Sequence, residues 1–520
     1  MTDYTCIIQT KEAVMRRILL LFLIFALTLP FSSILAASND VINVNIDSDL
    51  AAALDAVSDH GTIYIDGRYN IPRDFVWENH GKTITITGGV LNFSEHFGFS
   101  IGDNVRFENI TLQFRDNSSL YANGFDLYID DDVKITGDVT LYGGGKAKDV
   151  ARTNMTLMGG TFFNVYGGGN GGKVLGDVNL TIGGSFNKNL SISHAHDHQV
   201  FGGGNNSKIH GNVNLRFGDN AKANYIYGGC SGKNSVINGH IKLEFTGGRA
   251  MSVCGGSKDV NQNCDVYLYF TGGQVEQIFG GCEKSSMVGD VLISVTGGKV
   301  TRRIYGGCYN NYTYEGWQEV PNYVYGKILL LLGENVELTL KGGGGDNTLF
   351  AHSRQVTFPQ KEDAHIAFTS EAAKTQFAKK IGPQDGTMKS ILGKTKGYEK
   401  QHILTHTITG NGITQSCDCC EPATAEITVN HGIYNGQPQE NATLTVSENW
   451  LGPAPVLTYD DNIDVGTAKA RLAIGNSSVI VEYIIWPPVW VCVAIGAGLL
   501  LIAGGVTAFL LIRKKEKAAT

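Results

Sequence analysis

The chain has 520 residues, with 66 Gly, 11 Pro, 42% apolar residues and a formal net charge of −7. So much apolar material excludes a disordered chain, and the length admits roughly two to four domains. The acidic balance argues against nucleic acid as a partner, since a phosphate backbone calls for clustered Lys and Arg.

Met15-Arg16-Arg17 precedes an apolar run from Ile18 to Leu29, and small residues follow at Ala36 and Ala37. This is the pattern of a secretory signal peptide over 1–36, which places the following residues outside the cell. "SDLAAALDAVSDHG" then reads as a short helix. Ser48 caps it, Leu50, Leu54 and Val57 share a face, and Gly61 ends it. "GTIYIDGRYNI" and "KTITITGGVLNF" read as strands. A helix ahead of them would cover an open sheet edge.

The middle of the chain is repetitive. Gly pairs follow an aromatic at Tyr142, Tyr166, Phe201, Tyr227, Phe279 and Tyr305, with Cys254 in the same slot. Successive gaps are 24, 35, 26, 27, 25 and 26 residues, a period that marks a solenoid. Before each pair stands a strand with alternating apolar residues: Val178, Leu180, Ile182; Val213, Leu215, Phe217; Ile241, Leu243, Phe245; Val266, Leu268, Phe270; Val291, Ile293, Val295. Short strands joined by Gly corners predict one parallel β-helix coil per repeat, stacked about 4.8 Å apart. Gly suits such corners through positive φ or close backbone approach. The corner breaks the parity, so whether Ile304 or Tyr305 points inward stays open.

After "KGGGGDNT" the repeats stop. Residues 346–420 read as an end cap and linker that includes a helix in "SEAAKTQFAKKIG". From 421 to 484 the pattern becomes antiparallel strands: "AEITVN", "ATLTVS", "VLTYDDN", "GTAKARLAIG" and "SVIVEYII". Val489 to Ile512 carries no charge, and Arg513, Lys514, Lys515 and Lys517 follow. This predicts a transmembrane helix over 485–512 with a cytoplasmic tail at 513–520, a single-pass protein on the cell membrane with its N-terminal part outside.

The capping helix, "GTIYIDGRY" and above all "FSIGDNVRFENITLQF" resemble the pectin lyase-like parallel β-helix superfamily over about residues 40–345. Tyr434-Asn435-Gly436, Tyr459-Asp460-Asp461-Asn462 and Val465-Gly466-Thr467-Ala468 resemble the small immunoglobulin-like repeats of Gram-positive surface proteins, where they are spacers. The resemblance implies an all-β chain. On these resemblances a right-handed parallel β-helix over 37–345 is expected to precede an immunoglobulin-like β-sandwich over 421–484 and the single transmembrane helix.

Six sets of residues are candidates for chemistry or contact. Asp138, Asp177, Asn212, His240, Asp265 and Asp290 precede the inward residues and line up on the outside. Enzymes of the resembled fold carry acids on an outer face, so His240, Asp265 and Asp290 are candidates for acid, base or Ca²⁺ ligands. Turn chemistry explains the same row, and the superfamily's lyase motifs are not visible. His194, His196 and His198, in "HAHDH", alternate and could share a transition metal or form a solvated loop. Tyr267 and Tyr269 stand outward side by side, suited to stacking on sugar rings. Arg216 and Glu244 could pair between coils. Cys282 and Cys308 occupy equivalent positions one coil apart, within reach of a disulfide or as buried thiols. Cys417-x-Cys419-Cys420 could bind a metal or pair locally, with no second Cys or His cluster beside it. Regular rows without converging acids favour adhesin-like binding of an extracellular glycan or surface protein, or display of the extracellular β-helix. The alternative is a polysaccharide lyase or glycoside hydrolase.

Overall fold

In the sequence from Val178 to Ile182 every second residue is apolar, and those three side chains are buried while Asn179 and Thr181 are half-buried on the opposite face. The same alternation recurs in Val213–Phe217, Ile241–Phe245, Val266–Phe270 and Val291–Val295. These strands pair in parallel, in register: Val178 lies beside Val213, Val213 beside Ile241, Ile241 beside Val266, and Val266 beside Val291. In the computed structural model, which describes residues 40–309, 313–315, 318–320, 322–339, 348–353, 363–383, 400–474 and 477–488, the result is a parallel β-solenoid of about 11 turns.

A second parallel sheet forms the other wall. Its strands, such as Lys222–Tyr227, Arg249–Cys254, Gln274–Phe279 and Lys299–Tyr305, send Ile226, Val253, Ile278 and Ile304 into the common core. Tyr305 points the other way, which settles the parity left open by the sequence. Tyr121, Tyr142, Tyr166, Phe201 and Tyr227 form an unbroken ring stack, with adjacent centroids 4.6–5.1 Å apart. Cys254 interrupts it before Phe279, Tyr305 and Phe350.

The Gly pairs are of two kinds. Those following an aromatic sit against the next coil: a Cβ on Gly280 would lie 2.1 Å from the Gly306 carbonyl oxygen. In the other kind the second glycine has positive φ, as Gly273 does at +76°. Close approach and left-handed backbone are thus divided between the two corners.

Helix α1 (Leu50–Ala56) buries Leu50 and Leu54 against the first coil, with Val57 just beyond it also buried. Its cap is Asp49, which accepts from Ala51 N, and not Ser48, whose Oγ instead accepts from Asn45 N. Helix α2 (Glu371–Phe377) is capped by Ser370 and packs Phe377 into the core near the far end.

The strand Lys400–Thr409 joins the two halves of the molecule. Its first part pairs in parallel with Asp363–Phe368, the last rung of the long sheet, and its second part pairs antiparallel with Gly412–Cys417. Ala423–Val429 and Ala442–Val446 extend that second sheet. Gly432–Ile433, Ser477–Trp486, Gly466–Ile474 and Leu457–Asp460 form a facing one. Ile413, Ala425 and Ile427 from the first sheet meet Ala470, Leu472 and Val481 from the other, giving a sandwich with its own core.

The expectation of a transmembrane helix is corrected. Among the described residues no helix is long and apolar enough to cross a membrane. The start of the expected span belongs to Ser477–Trp486, a strand whose alternate residues Val479, Val481, Tyr483 and Ile485 are buried. Its apolar content fills the sandwich core. Residues 489–520, with the basic tail, and residues 1–39, with the expected signal peptide, lie outside the described residues.

Candidate functional site

The long sheet's outer face is composed by register. One row runs Asn154, Asn179, Asn214, Lys242, Tyr267 and Leu292; the next runs Thr156, Thr181, Arg216, Glu244, Tyr269 and Ser294. Each row therefore changes along the axis, with its most strongly polar members upstream of the tyrosines. Asn179, Thr181, Asn214, Arg216, Lys242 and Glu244 line an open groove of about 210 Å³. Asn214 Nδ2 donates to Asn179 Oδ1 at 3.0 Å. Glu244 pairs with Lys242 on its own strand at 2.7 Å and not with Arg216. Lys242 and Glu244 stand two apart on one strand and so share its outer face. Arg216 is exposed and makes no hydrogen bond or ion pair among the described residues. The groove thus offers a guanidinium with its full set of donors beside amide and hydroxyl groups of both polarities.

Tyr267 is not the exposed aromatic that alternation predicts. It is 5% exposed, and its hydroxyl donates to the Ala454 carbonyl in the sandwich loop between Ala442–Val446 and Leu457–Asp460. Downstream of it the outward positions turn apolar. Leu292, Leu329 and Leu331 pack with Ala367, Leu404 and Leu451 in a separate cluster, and Lys327 Nζ donates to the Glu448 and Trp450 carbonyls. The sandwich loop therefore covers the apolar part of this face and leaves the polar part open. Tyr269 is half-buried at the border, and burial raises its hydroxyl pKa to about 12.

The row of acids works as a rail. Asp177 Oδ1 accepts from Asn212 N at 2.7 Å, and Asn212 Oδ1 from His240 N at 3.1 Å. Asp265 Oδ1 accepts from Asp290 N at 2.8 Å, and Asp290 Oδ1 from Lys327 N at 2.7 Å. Each of these side chains holds the amide that starts the next coil, which is turn chemistry repeated. His240 packs edge-on against Tyr267, and burial depresses its pKa. Burial likewise raises that of Asp265. His240, Asp265 and Asp290 share a row, yet Asp265 and Asp290 each spend an oxygen on the backbone.

The histidines of the 187–198 excursion diverge. His198 Nδ1 meets the Phe162 carbonyl at 2.8 Å, His196 stacks on Tyr225, and His194 faces Glu276 at 4.0 Å. Each of His194, His196 and His198 has its own partner, so of the two readings, a shared metal or a solvated loop, the three do not converge as the first requires. The Cys282–Cys308 disulfide is not formed either. Cys282 is a buried free thiol, its Sγ accepting from Ser257 N at 3.4 Å and donating to Val260 O at 3.8 Å. Burial pushes it up to about 11, which keeps the reactive thiolate scarce.

Among the described residues two groups of ligand-type side chains converge: Asp130, Asp131 and Asp132, and His402 with Cys417, Cys419 and Cys420. The first is committed to structure, since Asp130 pairs with Arg106 at 2.6 Å and Asp132 accepts from Asn109 N. In the second, His402 Nδ1 lies 3.1, 3.2 and 3.4 Å from the sulfurs of Cys417, Cys419 and Cys420. Cys417 and Cys419 sulfurs are 3.4 Å apart, and those of Cys419 and Cys420 are 3.8 Å apart. His402 is the residue that reading the cysteines alone misses. The hairpin brings it in: Thr409 pairs with Gly412 and Leu404 with Cys417, which carries His402 to the start of the Cys419–Cys420 segment.

Comparison of the chain with protein-family models, with curated proteins and with solved structures finds no match.

Proposed function

We propose that the chain is an exported, adhesin-like protein that binds or displays, and that its ligand is an extended glycan lying along the upstream outer face of the long sheet. On this reading the solenoid is a β-helix of the pectin lyase-like kind and the sandwich is an immunoglobulin-like spacer. One observation carries the proposal. The open groove holds an uncommitted Arg216 in register with Thr181 and Glu244, flanked by Asn179, Asn214 and Lys242. Sugar hydroxyls both donate and accept, so a row alternating amide, guanidinium, ammonium and carboxylate groups suits them. The groove does not bring two acids together, and the nearby Asp265 and Asp290 hold backbone amides.

The test is a glycan array probed with the full chain, followed by a product assay on each hit. Binding that weakens at least about tenfold in both Arg216→Ala and Lys242→Ala, with no change in the glycan, is the expected result. Absence of any hit, or binding untouched by both substitutions, overturns the proposal. Chain cleavage lost in Asp265→Ala would replace binding with the lyase or hydrolase reading.

A further inference from the structure

The junction between solenoid and sandwich gathers three thiol sulfurs and an imidazole nitrogen within 4.8 Å of one another. A tetrahedral ion with bonds of about 2.3 Å to sulfur and about 2.0–2.1 Å to nitrogen sets S···S edges near 3.8 Å and N···S edges near 3.6 Å. The observed S···S distances of 3.4 and 3.8 Å and N···S distances of 3.1, 3.2 and 3.4 Å lie at those edges or up to about 0.5 Å inside them, so a bound ion would spread the ligands slightly. Disulfides need about 2.05 Å.

The histidine's orientation points the same way. Asp363 Oδ1 is 2.9 Å from His365 Nε2, and His365 Nδ1 is 3.0 Å from His402 Nε2. The carboxylate can only accept, so with both rings neutral His365 carries its proton on Nε2 and presents a bare Nδ1. His402 must then donate from Nε2, which leaves its own Nδ1 lone pair aimed at three sulfurs. A carboxylate reaching a ligand histidine through its far nitrogen is the usual support of a metal site, here lengthened by one ring. His402 is fully buried and His365 8% exposed, so neither ring turns toward water. Asp418 borders the cluster: its carboxylate is held by Ile403 N at 2.8 Å and Lys374 Nζ at 3.1 Å, and its Oδ1 also accepts from Cys417 Sγ at 3.7 Å.

We propose that His402, Cys417, Cys419 and Cys420 form a closed tetrahedral site for a thiophilic divalent ion, Zn²⁺ by its S₃N donor set, that clasps the last solenoid rung to the sandwich. Four protein ligands leave no open position, which makes the site structural and not catalytic. His402 comes from the strand shared by both sheets, Cys417 from its hairpin partner, and Cys419 and Cys420 from the link to Ala423–Val429. The ion therefore cross-links segments that also meet through the Leu404 cluster and the Leu404–Cys417 end of the hairpin. Zn²⁺ binding releases the thiol protons: three S–H bonds are lost, three Zn–S bonds form, and no oxidant is required.

The experiment uses the full chain, reduced and stripped of metal, titrated with Co²⁺ and then Zn²⁺. Uptake of one ion per chain, thiolate-to-Co²⁺ charge transfer, tetrahedral visible bands and their loss on adding Zn²⁺ are expected. Substituting His402→Ala should weaken binding, and His402→Cys should restore it with stronger charge transfer from a fourth thiolate. Changing the supporting His365→Gln should cost about 10- to 100-fold in affinity while the bands keep their shape. Far-ultraviolet circular dichroism checks that each variant still folds. No uptake by the folded wild-type chain, a six-coordinate spectrum without thiolate bands, or a mass two hydrogen atoms light in the chain as isolated, before reduction, with one of these cysteines bridged, would each overturn the proposal.

Discussion

Replacing Gly280 by Ala tests the stacked corner in the most demanding way. An added Cβ would lie 2.1 Å from the Gly306 carbonyl oxygen, 2.6 Å from Val291 Cγ1 and 2.7 Å from Ile293 Cδ1. A carbon and a carbonyl oxygen rest near 3.3 Å, so the next coil must withdraw by about 1.2 Å. The bonds Gly280 N to Tyr305 O and Gly281 N to Gly307 O, each 3.0 Å, cross the same gap and would break. Two such bonds at about 1 kcal/mol each and about 1–3 kcal/mol of overpacking give a loss of about 3–5 kcal/mol. The unfolded chain loses entropy on Gly→Ala, a gain of only about 0.4–1 kcal/mol, so destabilisation wins. Gly98→Ala is the control: its added Cβ meets only Tyr121 Cε2, at 3.4 Å, and it should change stability by less than about 1 kcal/mol. Equilibrium urea unfolding of the full chain measures both. If Gly280→Ala matched the control, the close-packed corner would be wrong.

Three further outcomes follow from buried polar groups. Tyr227→Phe removes the hydroxyl that donates to the buried Glu283 carboxylate, and should cost about 1–3 kcal/mol in urea unfolding. Tyr267→Phe deprives the Ala454 carbonyl of its donor and should speed proteolysis of the 448–456 loop while leaving the solenoid intact. Burial lowers the His406 pKa to about 4. Because this folded value lies below the unfolded one near 6.5, the neutral ring favours the fold above pH 6.5, and its contribution, up to about 3 kcal/mol, is lost as pH falls from 6.5 to 4. His406→Gln should flatten that part of the stability profile, measured by urea unfolding at each pH.

Stacked, parallel coils were readable because each repeat spells the same answer twice, once in the alternating apolar strand and once in the Gly corner. Val213, Ile241, Val266 and Val291 stand in register as their spacing predicts. Outward positions were harder to read, since alternation says which face a residue takes and not what covers it. Tyr267 reads the same exposed or roofed, and its roof lies 187 residues away at Ala454. A hint was present in "KILLLL", where an unbroken apolar run signals a strand buried on both faces. His402 was hidden for a similar reason. Its link to the cysteines needs the Gly410–Asn411 turn to be recognised as a hairpin, which folds residue 402 back onto 419. The histidines of "HAHDH" share a side only in an extended strand. His198 has φ of +52°, which breaks that alternation.

Calorimetric titration with one glycan prepared at increasing lengths tests the central claim most directly. Asn154, Asn179, Asn214 and Lys242 span three coil steps, about 14 Å at about 4.8 Å each. Affinity should rise with chain length and level off once the ligand covers that span, with the rise abolished in Arg216→Ala. Equal affinity for the shortest and longest members, or a rise that survives Arg216→Ala, would place recognition elsewhere and contradict a polar strip running along the coils.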